Sequence, residues 1–331
     1  MTLLVTGSYP PDICGVGDYC HCLMNAEKAA DWKLFYKKDW GLKNYNSYKK
    51  EILSLNPDKL IIQYPTLGYG WSFVPFLLMK FFSKRMGKNC VLVYHEFSYK
   101  SFKARIVQDF FLFFTKKLVV TNRYEEECVK KHHKKLDVNI IKIFSNINKV
   151  AELQKYTDRE YDYVCFGQIN VGKGIEDFIN LVKPVSKERK CAIVGVIPRM
   201  CEEYGNAIVQ NARENNIEVF LGLDNDAVSK FLNNTKVAIL PFPDGISERR
   251  GSFMAALING CLIVSTTGKY TTEPLKNVLF EEFPVQIEEL EVKKNSVDND
   301  FWQSYIEKAE KFLNTELPLS WDDVVEKYNS L

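Results

Sequence analysis

The feature that most constrains this fold is a repeated alternation of short Val-, Ile-, Leu- and Phe-rich runs with longer stretches of helical spacing. In the first half the runs are TLLVTG, KLFYKK, KLIIQY, CVLVYH, KLVVTN and NIIKIF; in the second they are DYVCFG, KCAIVG, EVFLG, VAILPF, CLIVST and NVLFE. A continuous apolar run marks a strand covered on both faces, and such strands belong to parallel sheets whose crossovers are helices. Two sets of this kind predict an α/β chain of two doubly wound domains. The seam falls in the polar, aperiodic stretch NKVAELQKYTDREYD, which places a first domain at 1–155 and a second at 156–300. The remaining 301–331 reads as helix, a break at Pro318 and a helix capped near Ser320, a tail that can cross back to the first domain.

Bulk electrostatics exclude one class of partner. With 44 Lys and Arg against 42 Asp and Glu, nothing draws the chain as a whole to nucleic acid. Nine scattered cysteines, several inside strand-like runs, read as small hydrophobes in a reducing cytoplasm. Cys20 and Cys22 flank His21, but no second pair stands at zinc-site spacing, so no metal is expected. MTLLVTG reads as a first strand, not a signal peptide. WSFVPFLLMKFF, interrupted by Pro75 and Lys80, is too short for a membrane span.

In doubly wound sheets ligands bind beyond the carboxyl ends of the strands, and the informative residues follow strands here. Gly167, Gly172 and Lys173 match G-x-x-x-x-G-K, but Gly174 stands where a P-loop needs Ser or Thr for magnesium. That argues against a P-loop nucleotidase and leaves Lys173 two readings, a phosphate ligand at a helix start or a solvated turn lysine. GVGDY, after the first strand, brings Gly15 and Gly17 near an anion or simply makes a turn; Cys20 in the third glycine position rules out a dinucleotide fingerprint. His95, at a strand end, is expected to face the ligand edge. The repeated DND, at 224–226 and 298–300, reads as helix capping, with Asn225 or Asp226 as the cap before AVSKFL.

The stretch GISERRGSFMAALING is the most pointed. Arg249 and Arg250 offer planar cationic forks, Gly251 allows close backbone approach, and Ser252 is expected to cap a helix over Phe253–Ile258. An anion seat and a plain surface turn both fit these residues.

Taken in order, TGSYPPDICGVGDY, VYHEF, VCFGQINVGKGIEDFINLV, VFLG to VAILPF, ALINGCLIVST and SWDDVVEKY resemble the family 4 retaining glycosyltransferases of the GT-B fold over nearly the whole chain. That resemblance implies two Rossmann-like domains facing a cleft, a nucleotide-diphosphate sugar as donor substrate, no cofactor and no metal. It implies that Lys173, Arg249, Arg250, Gly251 and Ser252 hold the diphosphate. It also implies that Gly15, Val16 and Gly17 close on it, that His95 contacts the transferred sugar, and that Asp18 or Tyr19 lines the acceptor side. The family's paired glutamates, seven residues apart, are half missing: Glu248 matches the first, while Ala255 or Ala256 takes the second position. Gln168 replaces an arginine common beside the strand glycine, and a branch with an Arg-Arg-Gly-Ser loop is nearer. The acceptor implied is a glycan or lipid-linked molecule of surface polysaccharide synthesis. A sugar-nucleotide epimerase or phosphorylase of the same shape, or a nucleotide-sugar-binding protein without turnover, is the alternative. FLLMKFFSKRMGK, KSFKARIVQDFFLFFTKK and VKKHHKK mix aromatics with cations, which suits either an anionic membrane surface or ordinary amphipathic helices with solvated lysines.

Overall fold

The computed structural model describes residues 1–95 and 102–331, and of residues 102–105 the backbone course alone. The chain divides into two compact units, Met1–Ile143 with Pro318–Leu331, and Phe144–Leu317. In the first, strands and helices alternate as β1 (Thr2–Thr6), α1 (Gly15–Asn25), β2 (Lys33–Tyr36), α2 (Tyr45–Leu55), β3 (Lys59–Tyr64), α3 (Val74–Met86), β4 (Cys90–Tyr94), α4 (Phe102–Phe114), β5 (Lys117–Val120), α5 (Arg123–His132) and β6 (Asp137–Ile140). In the second they run β7 (Tyr161–Gln168), α6 (Ile175–Val182), β8 (Cys191–Val196), α7 (Glu202–Glu214), β9 (Glu218–Leu221), α8 (Asn225–Asn233), β10 (Thr235–Leu240), α9 (Gly251–Ile258), β11 (Leu262–Ser265), α10 (Glu273–Asn277), β12 (Glu281–Glu282), α11 (Ile287–Asn295) and α12 (Asn299–Glu316). The closing helix, α13 (Trp321–Ser330), belongs to the first unit.

Each unit carries a six-stranded parallel sheet, ordered β2-β1-β3-β4-β5-β6 in the first and β12-β11-β10-β7-β8-β9 in the second. The central strands are buried on both faces: Leu3, Leu4 and Val5, Leu60 to Ile62, and Val237 to Ile239 are fully excluded from water. All twelve apolar runs therefore mark strands. Two are displaced: β6 takes in only Asn139 and Ile140 of its run, and β12 starts only after Val278, which packs as core behind α10.

Residues 144–155, read from sequence with the first domain, group with the second unit because asparagine amides stitch them to α8 and α9. Asn225 Nδ2 donates to the Asn146 carbonyl (3.1 Å), Val150 N–H to Asn259 Oδ1 (3.0 Å) and Gln154 N–H to Asn233 Oδ1 (3.0 Å). The tail helix α13 is fixed to the first unit by Lys59, whose ammonium donates to the carbonyls of Tyr328 (2.7 Å) and Asn329 (3.0 Å) at its carboxyl-terminal end. Ser320 caps α13, accepting from the Asp323 amide at 3.1 Å, where the sequence expects it. In the DND repeats the caps are the first residues, Asp224 and Asp298, each accepting an amide three residues on at 2.8 Å. Asn225 and Asp226 fall inside α8 instead, because a cap reaches the third helical amide only from the position ahead of the first turn.

Candidate functional site

In the second unit, β7 is followed by β8 and β9 on one side, whereas β10 and β11 continue on the other, so the order reverses between β7 and β10. The loops beyond that reversal cannot both fold back over the same crevice, and their backbones stand open there. One loop is 169–174, leading into α6; the other is 241–250, leading into α9. They touch at a glycine. Gly174 has φ +72°, and a Cβ on it would sit 1.9 Å from the Pro241 carbonyl oxygen. Only glycine permits both the left-handed turn and that approach. The hollow between them is lined by Gly167, Gln168, Lys173, Phe242 and Ser252, among others.

The residues of GISERRGS are arranged differently from their reading as a surface turn. α9 begins at Gly251, so Ser252 lies within its first turn and caps nothing; the position before the helix is Arg250, which makes no side-chain cap. Ser252 faces the β7 end instead, its Cβ 3.6 Å from where a Cβ on Gly167 would lie. The Met254 amide already bonds the Arg250 carbonyl, so the first-turn amides of Gly251, Ser252 and Phe253 are the ones that point out of the helix without an acceptor inside it.

Both arginines are largely withdrawn from water, with side chains 13% and 16% exposed. Arg249 lies over the Tyr270 ring at 4.4 Å and Arg250 over Phe242 at 4.5 Å. Asp244 faces both: its carboxylate bonds the Arg250 guanidinium and lies 3.7 Å from that of Arg249. Glu248 is buried in the same loop. Lys173, Arg249 and Arg250 against Asp244 and Glu248 leave one net positive charge, beside the positive end of α9, an arrangement suited to oxyanions. Ala255 and Ala256, at the positions of the missing glutamate, are fully enclosed in α9, so neither offers a polar group to a ligand. A third loop, after β11, is tied to the 241–250 loop: the Ile246 amide donates to the Thr266 carbonyl (2.9 Å), and Thr271 Oγ1 donates to the Ile246 carbonyl (2.9 Å). Asp244, Phe242 and Tyr270 were not singled out from the sequence. Asp244 carried a signal, an acid in the same post-strand loop as two arginines; Tyr270 carried none, since its loop is distant in sequence.

In the first unit the order reverses between β1 and β3. The loops beyond them meet at two glycines: a Cβ on Gly68 would lie 1.6 Å from the Gly7 carbonyl oxygen, and Ser8 Oγ accepts from the Gly68 amide at 2.8 Å. GVGDY is not a loop. Gly15, Val16 and Gly17 form the first turn of α1, and Asp18 is bonded to the Cys14 carbonyl at 2.9 Å, so what this motif presents is helix amides, not a flexible glycine turn. Asp18 is partly enclosed, and desolvation raises its pKa against the pull of His21. Tyr19 is buried, its hydroxyl 2.7 Å from that of Tyr328 and its ring edge-on to His95 (4.9 Å) and Trp321 (5.3 Å). Tyr19 thus backs His95 and presents almost no surface of its own.

His95 is held from three sides. Its amide donates to the Tyr64 carbonyl (2.9 Å), its Nε2 meets Gln63 Oε1 (2.7 Å), and Tyr19 packs on its ring. The hydrogen bond shared with Gln63 engages Nε2 and fixes the plane of the ring. The ring is densely surrounded although a slice of it reaches the surface, and desolvation lowers its pKa to about 4. His95 is therefore a neutral hydrogen-bonding group at physiological pH, not a cation. Gln63 was a legible clue, the one amide in the apolar run KLIIQY. The remainder of HEFSY lies outside the described residues. His21, between Cys20 and Cys22, hydrogen-bonds Tyr9 (3.1 Å) and Asn25 (2.9 Å), and all nine cysteines are free thiols.

No protein-family model matches the chain, and no curated protein matches its sequence. Solved structures do. A sucrose-phosphate synthase from Thermosynechococcus elongatus is similar over 99% of this chain and 97% of its own, with a TM-score of 0.69 at 14% identity. The HepE protein of Anabaena, in complex with UDP and glucose, is similar over 100% of this chain and 99% of its own, with a TM-score of 0.68 at 11% identity. A glycosyltransferase from Rickettsia africae ESF-5 covers 96% of its length and 99% of this chain, with a TM-score of 0.65 at 12% identity. The α/β fold of two parallel sheets is thus shared with GT-B glycosyltransferases.

Proposed function

We propose that this chain is a glycosyltransferase. It would take a sugar from a nucleoside-diphosphate donor and pass it, with retention at the anomeric carbon and without metal, to a glycan or lipid-linked acceptor in surface polysaccharide synthesis. The observation that carries the reading is the hollow at the β7–β10 reversal, lined by Lys173 and by Ser252 at the start of α9, with Arg249 and Arg250 in the loop that leads into that helix and Arg250 over Phe242 of its wall. The shared fold supports it, as does the UDP and glucose held by the HepE protein. A reducing, cytoplasmic setting is part of the proposal, supported by nine free thiols.

Loss of a nucleoside diphosphate gathers negative charge on the leaving oxygens, and donors already fixed in place stabilise that charge without reorganising. Lys173, Arg249 and Arg250 do this work, the arginines steadied by Tyr270, Phe242 and Asp244. Gln168 and Glu248 stand beside the same loops as donor contacts. The first amides of α1, Gly15 to Gly17, make a second anion-facing helix end, and neutral His95 hydrogen-bonds a sugar hydroxyl. The leaving phosphate takes the acceptor's proton, so no side chain needs to act as base.

The test is release of nucleoside diphosphate from a panel of sugar donors, with Lys173→Ala and Arg250→Ala compared at equal helical content. Each is expected to lower turnover by about a hundredfold. Unchanged turnover in both variants would refute the phosphate seat, and conversion of donor without release of diphosphate would favour the epimerase reading.

A further inference from the structure

We infer that the tail helix α13 positions His95: through Trp321 and Tyr328 it fixes Tyr19 of α1, and Tyr19 fixes the imidazole. The placement is geometry within the first unit; its consequence for turnover rests on the transferase reading above.

Trp321 and Tyr328 stand seven residues apart in α13. Seven residues make two turns, so both side chains share one face, about 10 Å apart along the axis. Tyr19 bridges them. Its ring meets the Trp321 ring edge-on at 5.3 Å, and its hydroxyl is 2.7 Å from that of Tyr328. A phenol gripped at ring and hydroxyl is held to one rotamer. The same ring meets His95 edge-on at 4.9 Å, while Gln63 of β3 holds Nε2 at 2.7 Å. The imidazole is thus set between an amide from the sheet and a phenol whose place α13 decides.

The phenol pair is not what keeps α13 on the first unit. The Lys28 amide donates to Asp322 at 2.8 Å, the Lys28 ammonium pairs with Glu326, Trp32 Nε1 donates to Asn329 Oδ1 at 3.0 Å, and Lys59 grips the last carbonyls. Tyr19 and Tyr328 are both buried, at 4% and 0% exposure. A hydrogen bond between two buried phenols adds little to stability over two phenylalanines, because both hydroxyls had to leave water. What it adds is direction. It sets where the Tyr19 ring stands, and so the wall that keeps water from His95. That enclosure is what lowers the imidazole pKa to about 4.

The experiment follows His95 by NMR titration of the full chain carrying labelled histidine, its signal assigned with His95→Gln. In the parent it should titrate near 4. Tyr19→Leu opens the wall and should move the titration toward the ordinary imidazole value of about 6.5. Tyr328→Phe should move it in the same direction by less, and keeps the test open should Tyr19→Leu unfold. Tyr19→Phe with Tyr328→Phe should be no worse than either alone, since all three lack the same hydrogen bond. Asn329→Ala, which loosens α13 without touching these rings, should leave His95 unmoved. Diphosphate release from the donor should slow about two- to tenfold in Tyr328→Phe, the range spanned by one neutral hydrogen bond, with nucleoside-diphosphate affinity unchanged. A parent ring titrating near 6.5, a titration unmoved by Tyr19→Leu, or one moved as far by Asn329→Ala as by Tyr328→Phe would each overturn the proposal. The titration needs no turnover, so a chain that releases no diphosphate from any donor refutes the transferase reading while the NMR result still decides this one.

Discussion

Gly174→Ala and Gly172→Ala form a matched pair that isolates the contact between the two loops of the phosphate seat. Both glycines hold left-handed backbone, with φ +72° and +79°. Alanine there costs about 1 kcal/mol in either case. The difference lies in what the new methyl meets. Nothing lies within 4 Å of a Cβ at Gly172, whereas at Gly174 it would stand 1.9 Å from the Pro241 oxygen and 2.8 Å from its carbonyl carbon. Reaching ordinary van der Waals separation requires the 169–174 and 241–250 loops to part by about 1.5 Å, and overpacking against backbone costs a further ~1–3 kcal/mol. Gly172→Ala should therefore lower stability by about 1 kcal/mol and Gly174→Ala by about 2–4 kcal/mol. Because Lys173 is the residue before Gly174, the same displacement shifts it relative to Ser252, with which it lines the hollow. Chemical denaturation followed by circular dichroism measures the first effect, and titration of a nucleoside diphosphate the second, with about a tenfold loss expected in Gly174→Ala alone. Equal stability and equal affinity in the two variants would refute the claim that loop contact positions the seat.

Three further outcomes follow from individual ionisable groups. Asp244→Asn removes an anion facing both arginines, so pyrophosphate should bind severalfold more tightly while the fold loses about 1–2 kcal/mol, by calorimetry and thermal melting; weaker binding would mean the carboxylate serves chiefly to aim the arginines. His95 is neutral when folded, with a pKa near 4, and protonates near 6.5 when unfolded. The unfolded chain therefore holds more protons between those values, and stability present above pH 6.5 should fall, by up to ~3 kcal/mol, as pH drops toward 4; His95→Gln should flatten that slope in denaturation curves, and an unchanged slope would remove His95 as its source. Arg159 is a buried cation that donates to the carbonyls of Gln154 (3.1 Å), Thr235 (2.8 Å) and Gly260 (2.9 Å) and lies over Trp302 at 4.8 Å, with desolvation lowering its pKa to about 10. Arg159→Met orphans those carbonyls and should cost about 3–5 kcal/mol without altering ligand affinity at constant folded fraction.

Local chemistry alone identified this protein's strands, its class and the loops worth watching. A doubly covered strand must be apolar along its length, and a βα loop at a ligand edge must admit glycine and polar side chains, so TLLVTG, VAILPF and GQINVGKG are readable one window at a time. The same local view mistook GVGDY for a turn and Ser252 for a cap, because whether a glycine opens a helix or interrupts one depends on where the preceding strand delivers the chain. Which strands lie side by side, and hence where each order reverses, is decided by nonlocal pairing. So are the ring beneath Arg249, the carbonyl that obliges Gly174 to be glycine, and the amide and phenol that pack around His95. Those contacts join separate loops of one unit through space that exists only once that unit's sheet is built, and no periodicity in the sequence encodes a distance across it.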